Sequence, residues 1–206
     1  LFQQNNSMVI RSGINVASYR FHKVSGTAYR KKIGANQDTL IIGTIACLKP
    51  QKQPQTFIKL AAKILSRYPS SLFLLAGDGE LQQECEQLIE EYQIKDKCII
   101  LGWEFDIPSF LSALDIFVLT SKFEGLPRAV LQARASGLPI VATKVNGTPE
   151  AIIHGENGFL VDPIDLDDIL YHVETLIKNT SLREKFSMNA IKNLEEFDID
   201  QMVLQQ

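Results

Sequence analysis

Six short apolar runs, each followed by a helical pattern, constrain what this 206-residue chain can fold into. The runs do not alternate apolar and polar residues, so we expect strands that are buried on both faces. Such strands separated by helices form a parallel sheet, because each right-handed crossover lays its helix against one face. The sequence therefore predicts an α/β protein with a doubly wound, Rossmann-like parallel sheet and helices on both faces. The predicted strands cover 40–46, 71–76, 97–101, 115–119, 139–143 and 158–161.

Helical patterns fill the spaces between these runs and continue after the last one. We place the Rossmann-like unit at 39–180, interpret 1–38 as a lead-in to it, and expect 181–206 to be a helical segment after it. Since the first residue is Leu rather than Met, we expect the chain to be a piece of a longer protein. The predicted helices cover 54–67, 80–92, 106–113, 127–135, 148–153, 166–178 and 181–196.

Composition excludes several classes of function. With 21 basic and 24 acidic residues the formal net charge is −3, which argues against a nucleic-acid partner. The three cysteines lack metal-ligand spacing, and their odd number suits a reducing compartment. No apolar run approaches the roughly 20 residues needed to span a bilayer, and no signal peptide opens the chain. We therefore expect a single cytoplasmic domain without a metal.

The segment at 120–133, which reads TSKFEGLPRAVLQA, predicts an anion site. It follows the fourth apolar run and leads into a helix, whose first turn presents unpaired N–H groups and the positive end of its dipole. Pro127 suits the first helical turn because its missing N–H has no intrahelical partner to lose. Glu124 stands beside this turn as an acceptor for hydroxyl groups. Phosphate donors next to a hydroxyl acceptor indicate a sugar nucleotide.

Three further loops lie at predicted strand ends. Lys49 and Lys52 follow the first strand, where either they reach a bound diphosphate or they are solvated surface lysines. Gly77 and Gly79 favour a tight turn into the next helix, because the full dinucleotide-binding glycine pattern is absent. Trp103, the only tryptophan, either lies against a nucleotide base or packs partly buried. Each loop alone leaves its function open.

Together these motifs resemble the C-terminal, donor-binding domain of the GT-B-fold retaining glycosyltransferases of family 4. The resemblance covers about residues 9–200, and its most specific part is EGLP at 124–127 followed by SGLPIVAT at 136–143. The remaining motifs occur in the family's order. They are Gly43, Pro50 with Lys52, GDG at 77–79, LG at 101–102, GTPE at 147–150 and GENG at 155–158.

The resemblance implies a role for each matching position. Glu124 would bind hydroxyl groups of the donor sugar, and Lys52 would neutralise the diphosphate leaving group; we predict both as catalytic residues. The backbone around residues 125–127 would hold sugar or diphosphate oxygens, and residues 101–103 would border the base. The predicted donor-binding residues are Gly43, Lys49, Leu101, Gly102, Trp103, Gly125, Leu126, Pro127, Arg128 and Gln132.

The family's known chemistry supplies further expectations. The resemblance implies sugar transfer from a UDP- or GDP-sugar to a glycan or glycolipid, with retained anomeric configuration and without a metal or other cofactor. The acceptor would be held by an N-terminal domain that this chain lacks, so we expect donor binding but no turnover by the chain alone. It also implies a cytoplasmic protein, and it leaves open a peripheral association with the inner face of the membrane.

Two positions depart from the family pattern. Gln132 stands where the family has a second glutamate, and an amide offers one acceptor and one donor to the ribose hydroxyls, a loss of about 1–2 kcal/mol. Cys47 stands where the family has a phosphate-binding arginine, and we hypothesise that Lys49 or Arg128 partly substitutes for it. These departures leave open a catalytically degenerate module used for binding or assembly. A nicotinamide-dependent oxidoreductase is disfavoured because position 82 is Gln, where the glycine pattern requires Gly.

Overall fold

The computed structural model describes residues 10–36, 38–163 and 165–204, and in these residues six strands form one parallel sheet. The strand order is β3-β2-β1-β4-β5-β6, which reverses direction between β1 and β4. The predicted doubly wound α/β fold is therefore confirmed. The strands are β1 (Ile41–Ile45), β2 (Leu72–Ala76), β3 (Cys98–Gly102), β4 (Ile116–Leu119), β5 (Ile140–Thr143) and β6 (Gly158–Val161).

Helices cover both faces of this sheet. The predicted helix at 166–178 has the bounds expected for it, whereas the one predicted at 181–196 ends at Ala190 and is followed by a 3₁₀ turn. The α-helices are α1 (Lys23–Lys32), α2 (Pro54–Leu65), α3 (Gln82–Glu91), α4 (Ile107–Ala113), α5 (Arg128–Ala135), α6 (Thr148–Ala151), α7 (Leu166–Lys178), α8 (Thr180–Ala190) and α9 (Ile199–Leu204). The 3₁₀ turns are Val16–Tyr19 and Glu195–Phe197.

Burial on both faces explains why the strands lack alternation. In β4, Ile116 and Val118 lie in the core beneath α2 and α7, whereas Phe117 and Leu119 lie in the core on the opposite face, beneath α4 and α5. Successive strand residues point to opposite faces, so a strand covered on both sides needs an apolar residue at every position. This is the pattern that predicted the parallel sheet.

The region before β1 contains a 3₁₀ turn and α1, which the sequence analysis did not predict. Its sequence, KVSGTAYRKK, contains a glycine and short polar residues that form helices weakly, so tertiary packing stabilises α1. A Cβ on Gly26 would lie 2.3 Å from Ser112 O, which shows how closely α1 approaches α4. The ring of Tyr29 also packs edge-on against Phe110.

Both ends of the described chain pack into the same core as the sheet. The backbone N–H of Ile14 donates to Phe197 O at 2.9 Å, and Ile199 N–H donates to Ile14 O at 2.9 Å. Ile14, Tyr29 and Phe197 belong to the core beneath α4 and α5. The lead-in and the C-terminal segment are therefore integral to the packed unit, and the division at residues 38 and 180 stays a proposal.

A half-buried histidine predicts a loss of stability in acid. Burial lowers the pKa of His172, whose ring stacks on Phe159 with centroids 4.2 Å apart; His154 adds to this shift and Asp168 opposes it. The folded state thus favours neutral His172, whereas the unfolded state protonates it near pH 6.5. The free energy of unfolding should fall as the pH drops below about 6.5, until the lowered folded pKa is passed.

Urea titrations of the wild type and His172→Phe at about pH 7.5 and about pH 5.5 check this expectation. The wild type should lose more stability between the two pH values than the variant, which retains a ring against Phe159. An equal loss in the two proteins would show that His172 does not titrate as described.

Candidate functional site

Two loops meet where the strand order reverses. Residues 46–53 follow β1 and residues 120–127 follow β4, and both lie at the carboxyl edge of the sheet. The helices that follow these loops, α2 and α5, lie on opposite faces of the sheet. The two loops therefore diverge and leave a crevice between them. We call these two loops, together with the N-terminus of α5, the switch-point site.

Hydrogen bonds join the two loops into one unit. Lys122 N–H donates to Gln51 O at 2.8 Å, and the Gln51 side chain donates back to Phe123 O at 2.9 Å. The hydroxyl of Thr120 donates to Lys52 O at 3.0 Å. The backbones of the two loops therefore hold each other in place, and with them the side chains at the centre of the site.

An ion pair occupies the centre of the switch-point site. Lys52 Nζ lies 2.6 Å from Glu124 Oε1, and Ser121 Oγ donates to the same oxygen at 2.6 Å. Glu124 is only 8% exposed. Among the described residues no hydrogen bond ends on Glu124 Oε2, which leaves this oxygen available to a ligand hydroxyl. The sequence-predicted catalytic residues are thus brought into direct contact.

Helix α5 begins one residue later than predicted. Pro127 is its N-cap rather than a residue of its first turn, because a ψ of 101° is extended and not helical. Among the described residues no side chain caps this helix, so its first N–H groups face the loop that carries Gly125 and Leu126. Uncapped N–H groups and the helix dipole favour an anion at this end. Arg128, the first helical residue, is exposed beside it.

Glycines pack the neighbouring loops against the switch-point site. A Cβ on Gly147 would lie 2.3 Å from Gly125 O, so the loop before α6 supports the loop before α5. Gly77 and Gly79 have φ of 140° and 151°, and a Cβ on either would meet the carbonyl oxygen of Ala46 or Leu48. The GDG segment therefore makes a tight turn that buttresses the loop carrying Lys49.

The remaining predicted residues lie further from the ion pair. Gly43 lies inside β1, where a Cβ would be 2.6 Å from the Leu114 side chain, so the structure gives it a packing role. Leu101 and Gly102 end β3, two strands away from β1. The Trp103 side chain is 67% exposed, which does not fit the alternative of a partly buried packing residue. It remains available to a ligand at the carboxyl edge.

The loop after β3 is anchored by a partly buried hydrogen bond. Tyr29 Oη donates to Glu104 Oε2, next to Trp103. Burial raises the pKa of Tyr29, and the contact with Glu104 raises it further. Burial alone would raise the pKa of Glu104 as well, but the hydrogen bonds from Tyr29 and Asp106 and the charge of Lys32 hold it below its usual value. The phenol is therefore the donor in this pair.

Sequence reasoning missed Tyr19, which contacts the predicted donor-binding residue Gln132. On α5, the Nε2 of Gln132 donates to Tyr19 Oη at 2.9 Å. Tyr19 lies 113 residues earlier, in the 3₁₀ turn of the lead-in. No periodicity or motif connects two positions so far apart, so only the folded structure reveals the pair.

A cavity of about 1090 Å³ lies at the opposite edge of the sheet, and its lining includes Leu114, Pro139 and the exposed side chains of Met188 on α8 and Ile191 after it. In open α/β sheets ligands bind beyond the carboxyl ends of the strands, and this cavity lies at the amino ends of β4 and β5. The predicted catalytic residues, Lys52 and Glu124, lie at the other edge. We therefore place the candidate site at the carboxyl edge and not in this cavity.

Comparison with known proteins defines the family. The family model described as Glycosyl transferases group 1 matches residues 26–193, and the chain belongs to this family. The UDP-Gal:alpha-D-GlcNAc-diphosphoundecaprenol alpha-1,3-galactosyltransferase of Escherichia coli is 32% identical over 165 residues, which cover 79% of this chain and 43% of that enzyme. The expectation of a glycosyltransferase domain is thus confirmed at the level of the group 1 family.

Solved structures agree with this assignment. Anabaena HepE, crystallised with UDP and glucose, matches 98% of this chain and 56% of its own with a TM-score of 0.90 and 26% identity. The C-terminal domain of LpcC, a glycosyl transferase group 1 family protein from Francisella tularensis, matches 94% of this chain and 98% of its own with a TM-score of 0.77 and 26% identity. The chain spans less than half the length of the Escherichia coli relative.

The described part of the chain contains neither a membrane-spanning helix nor a metal-binding cluster. None of its helices combines the length and apolarity that crossing a membrane requires. No group of three or more His, Cys, Asp or Glu side chains within 10–36, 38–163 and 165–204 is arranged to hold a metal ion.

The ion pair predicts a specific loss of stability. Replacing Lys52 by Met leaves the buried Glu124 carboxylate without its cation, at a cost of about 3 kcal/mol. Lys59→Met, at an exposed position on α2, removes an equal charge and should change the free energy of unfolding by less than about 0.5 kcal/mol. Chemical denaturation at neutral pH measures both. Equal effects of the two substitutions would contradict a structural role for the Lys52–Glu124 contact.

Proposed function

We propose that this chain is the donor-binding half of a retaining glycosyltransferase of family 4, and that a nucleotide diphosphate sugar binds at the switch-point site. The observation that carries this proposal is the Lys52–Glu124 pair beside the uncapped N-terminus of α5. It combines a cation and N–H donors for phosphate with a carboxylate oxygen for sugar hydroxyls. The crystallised complex of HepE with UDP and glucose supports the same ligand class.

The arrangement assigns a task to each group. The N–H groups of α5 and the Lys52 ammonium stabilise the negative charge that grows on the departing diphosphate. Glu124 Oε2 accepts a hydrogen bond from a hydroxyl of the donor sugar, while Ser121 and Lys52 hold Oε1 in place. Because protein groups supply this stabilisation, we propose that transfer proceeds without a metal ion. The resemblance to family 4 is the basis on which we propose retained anomeric configuration.

We propose that the acceptor binds to a part of the full-length protein that lies outside this chain. The chain spans 43% of the Escherichia coli relative, whose name specifies a diphosphoundecaprenol acceptor, so a glycan or glycolipid acceptor is the class we propose. A GT-B active site lies between two domains, and we propose that this half binds donor but does not turn over alone. We propose that the full-length protein is cytoplasmic, and the proposal leaves open a peripheral association with the inner face of the membrane.

One observation favours a second candidate function. Cys47 is exposed at the carboxyl end of β1, at the position where the resembled family has a phosphate-binding arginine. A neutral thiol does not provide a bidentate cation for a diphosphate. The alternative is a glycosyltransferase-like module that has lost catalysis and serves binding or assembly. This module would have no measurable affinity for a nucleotide sugar.

Titration calorimetry with UDP, GDP, ADP and their common sugars separates the two functions. We expect at least one nucleotide to bind the wild-type chain. Glu124→Gln should weaken binding of the matching nucleotide sugar about tenfold, because a charge-assisted hydrogen bond to a sugar hydroxyl is lost, and should leave the bare nucleotide nearly unchanged. Lys59→Gln serves as the matched surface control. Absence of binding by every nucleotide and sugar would favour the degenerate module.

Thiol chemistry gives an independent measure of occupancy. Burial raises the pKa of Cys85 to about 11 and that of Cys98 to about 12, whereas Cys47 is exposed. In the native chain a water-soluble disulfide reagent should therefore modify Cys47 alone, and Cys47→Ser should abolish the reaction. A bound nucleotide should slow this modification several-fold. An unchanged rate at saturating nucleotide would place the ligand away from the end of β1.

A further inference from the structure

Tyr19 is fixed to α5 at both its side chain and its backbone. Gln132 Nε2 donates to Tyr19 Oη at 2.9 Å, and one turn further along the helix Ser136 Oγ donates to Tyr19 O at 2.6 Å. Tyr19 and Gln132 are both half-buried, so neither is a freely moving surface side chain. The position of the phenol is thus set by the same helix whose N-terminus forms the switch-point site.

The direction of the Tyr19–Gln132 hydrogen bond determines what the pair presents to a ligand. The amide N–H is the donor and the phenol oxygen accepts, so the phenol O–H remains free to donate. Gln132 Oε1 receives no hydrogen bond from the residues that the structure describes. The pair therefore offers one uncharged donor and one uncharged acceptor side by side. Two adjacent hydroxyl groups match such a pair, because each hydroxyl both donates and accepts.

The place of the pair along α5 indicates which hydroxyl groups these are. Gln132 is four residues after Arg128, so it lies on the same face of the helix and about 6 Å further along its axis. A diphosphate at the N-terminus of α5 would have its ribose within this distance. The ribose carries two adjacent hydroxyl groups, and the base lies beyond it.

We propose that Tyr19 is a donor-binding residue, whose hydroxyl binds the ribose of the nucleotide together with the side-chain carbonyl of Gln132. This inference rests on the proposed function. It assigns a part of the site to the segment before the sheet, and it accounts for an amide at position 132. A carboxylate there has no N–H to donate, so the phenol would donate to it and no donor would remain for the ligand.

Calorimetric titration of the whole chain with UDP and with 2′,3′-dideoxy-UDP tests the proposal, with GDP and its dideoxy counterpart in parallel. Tyr19→Phe keeps the ring and removes only the hydroxyl; it should raise the Kd for UDP five- to tenfold and leave the Kd for dideoxy-UDP unchanged. If Tyr19→Phe lowers the yield of folded protein, Gln132→Met replaces it as the test. This variant should also raise the Kd for UDP and leave the Kd for dideoxy-UDP unchanged. Tyr171→Phe, an exposed tyrosine on α7, is the matched control.

The possible results distinguish this inference from the proposed function. Wild-type binding that Tyr19→Phe leaves unchanged, or weakens equally for the ribose and dideoxy ligands, overturns the role of Tyr19 and leaves nucleotide binding intact. Failure of the wild type to bind any of the four nucleotides overturns the proposed function and the role of Tyr19 with it.

Discussion

The contact between Lys52 and Glu124 is the interaction on which the switch-point site depends. The two residues follow strands that lie side by side, β1 and β4, and their helices lead to opposite faces of the sheet. An opposite charge at 2.6 Å compensates the cost of burying the Glu124 carboxylate and fixes the two loops to each other. Because the backbones of these loops are also hydrogen-bonded, the groups that we propose to bind phosphate and sugar hydroxyls are held in place before a ligand arrives.

The segment that precedes the sheet is part of this arrangement. Through Tyr29 it anchors the loop that carries Trp103, and through Tyr19 it reaches Gln132 on α5. Ile14 and Phe197 connect the same segment to the C-terminal end of the described chain. In our proposal, this segment therefore supports the loop beside the base through Tyr29 and contacts the ribose through Tyr19.

Much of the fold was predictable because its strands are buried on both faces. An uninterrupted apolar run such as β4 fits best in the centre of a parallel sheet. The predicted strand bounds differ from the observed ones by no more than one residue at either end. Helix α1 was missed because its stability comes from contact with α4, which leaves no periodic signal in a polar sequence. The start of α5 was wrong by one residue because composition does not determine the ψ angle of Pro127.

The site itself was predictable only in part. Family resemblance singled out Lys52 and Glu124, which are 72 residues apart, but their direct contact was not predicted and became visible only in the fold. Gly43 matched a family motif, yet the structure gives it contact with Leu114. The Tyr19–Gln132 hydrogen bond was not predictable because it depends on where a distant segment packs. A sequence motif predicts site residues that lie within one loop. It does not predict contacts between side chains on elements that are far apart in the sequence.

An NMR titration of the isotope-labelled chain with a nucleotide sugar tests the location of the site most directly. Binding at the carboxyl edge should shift the amide signals of Gly125, Arg128 and Ala129, at the N-terminus of α5, by more than those of the other helices. Shifts confined to residues around the cavity at the opposite edge, such as Leu138 and Ile191, would contradict the switch-point site. So would a spectrum that a saturating nucleotide sugar leaves unchanged.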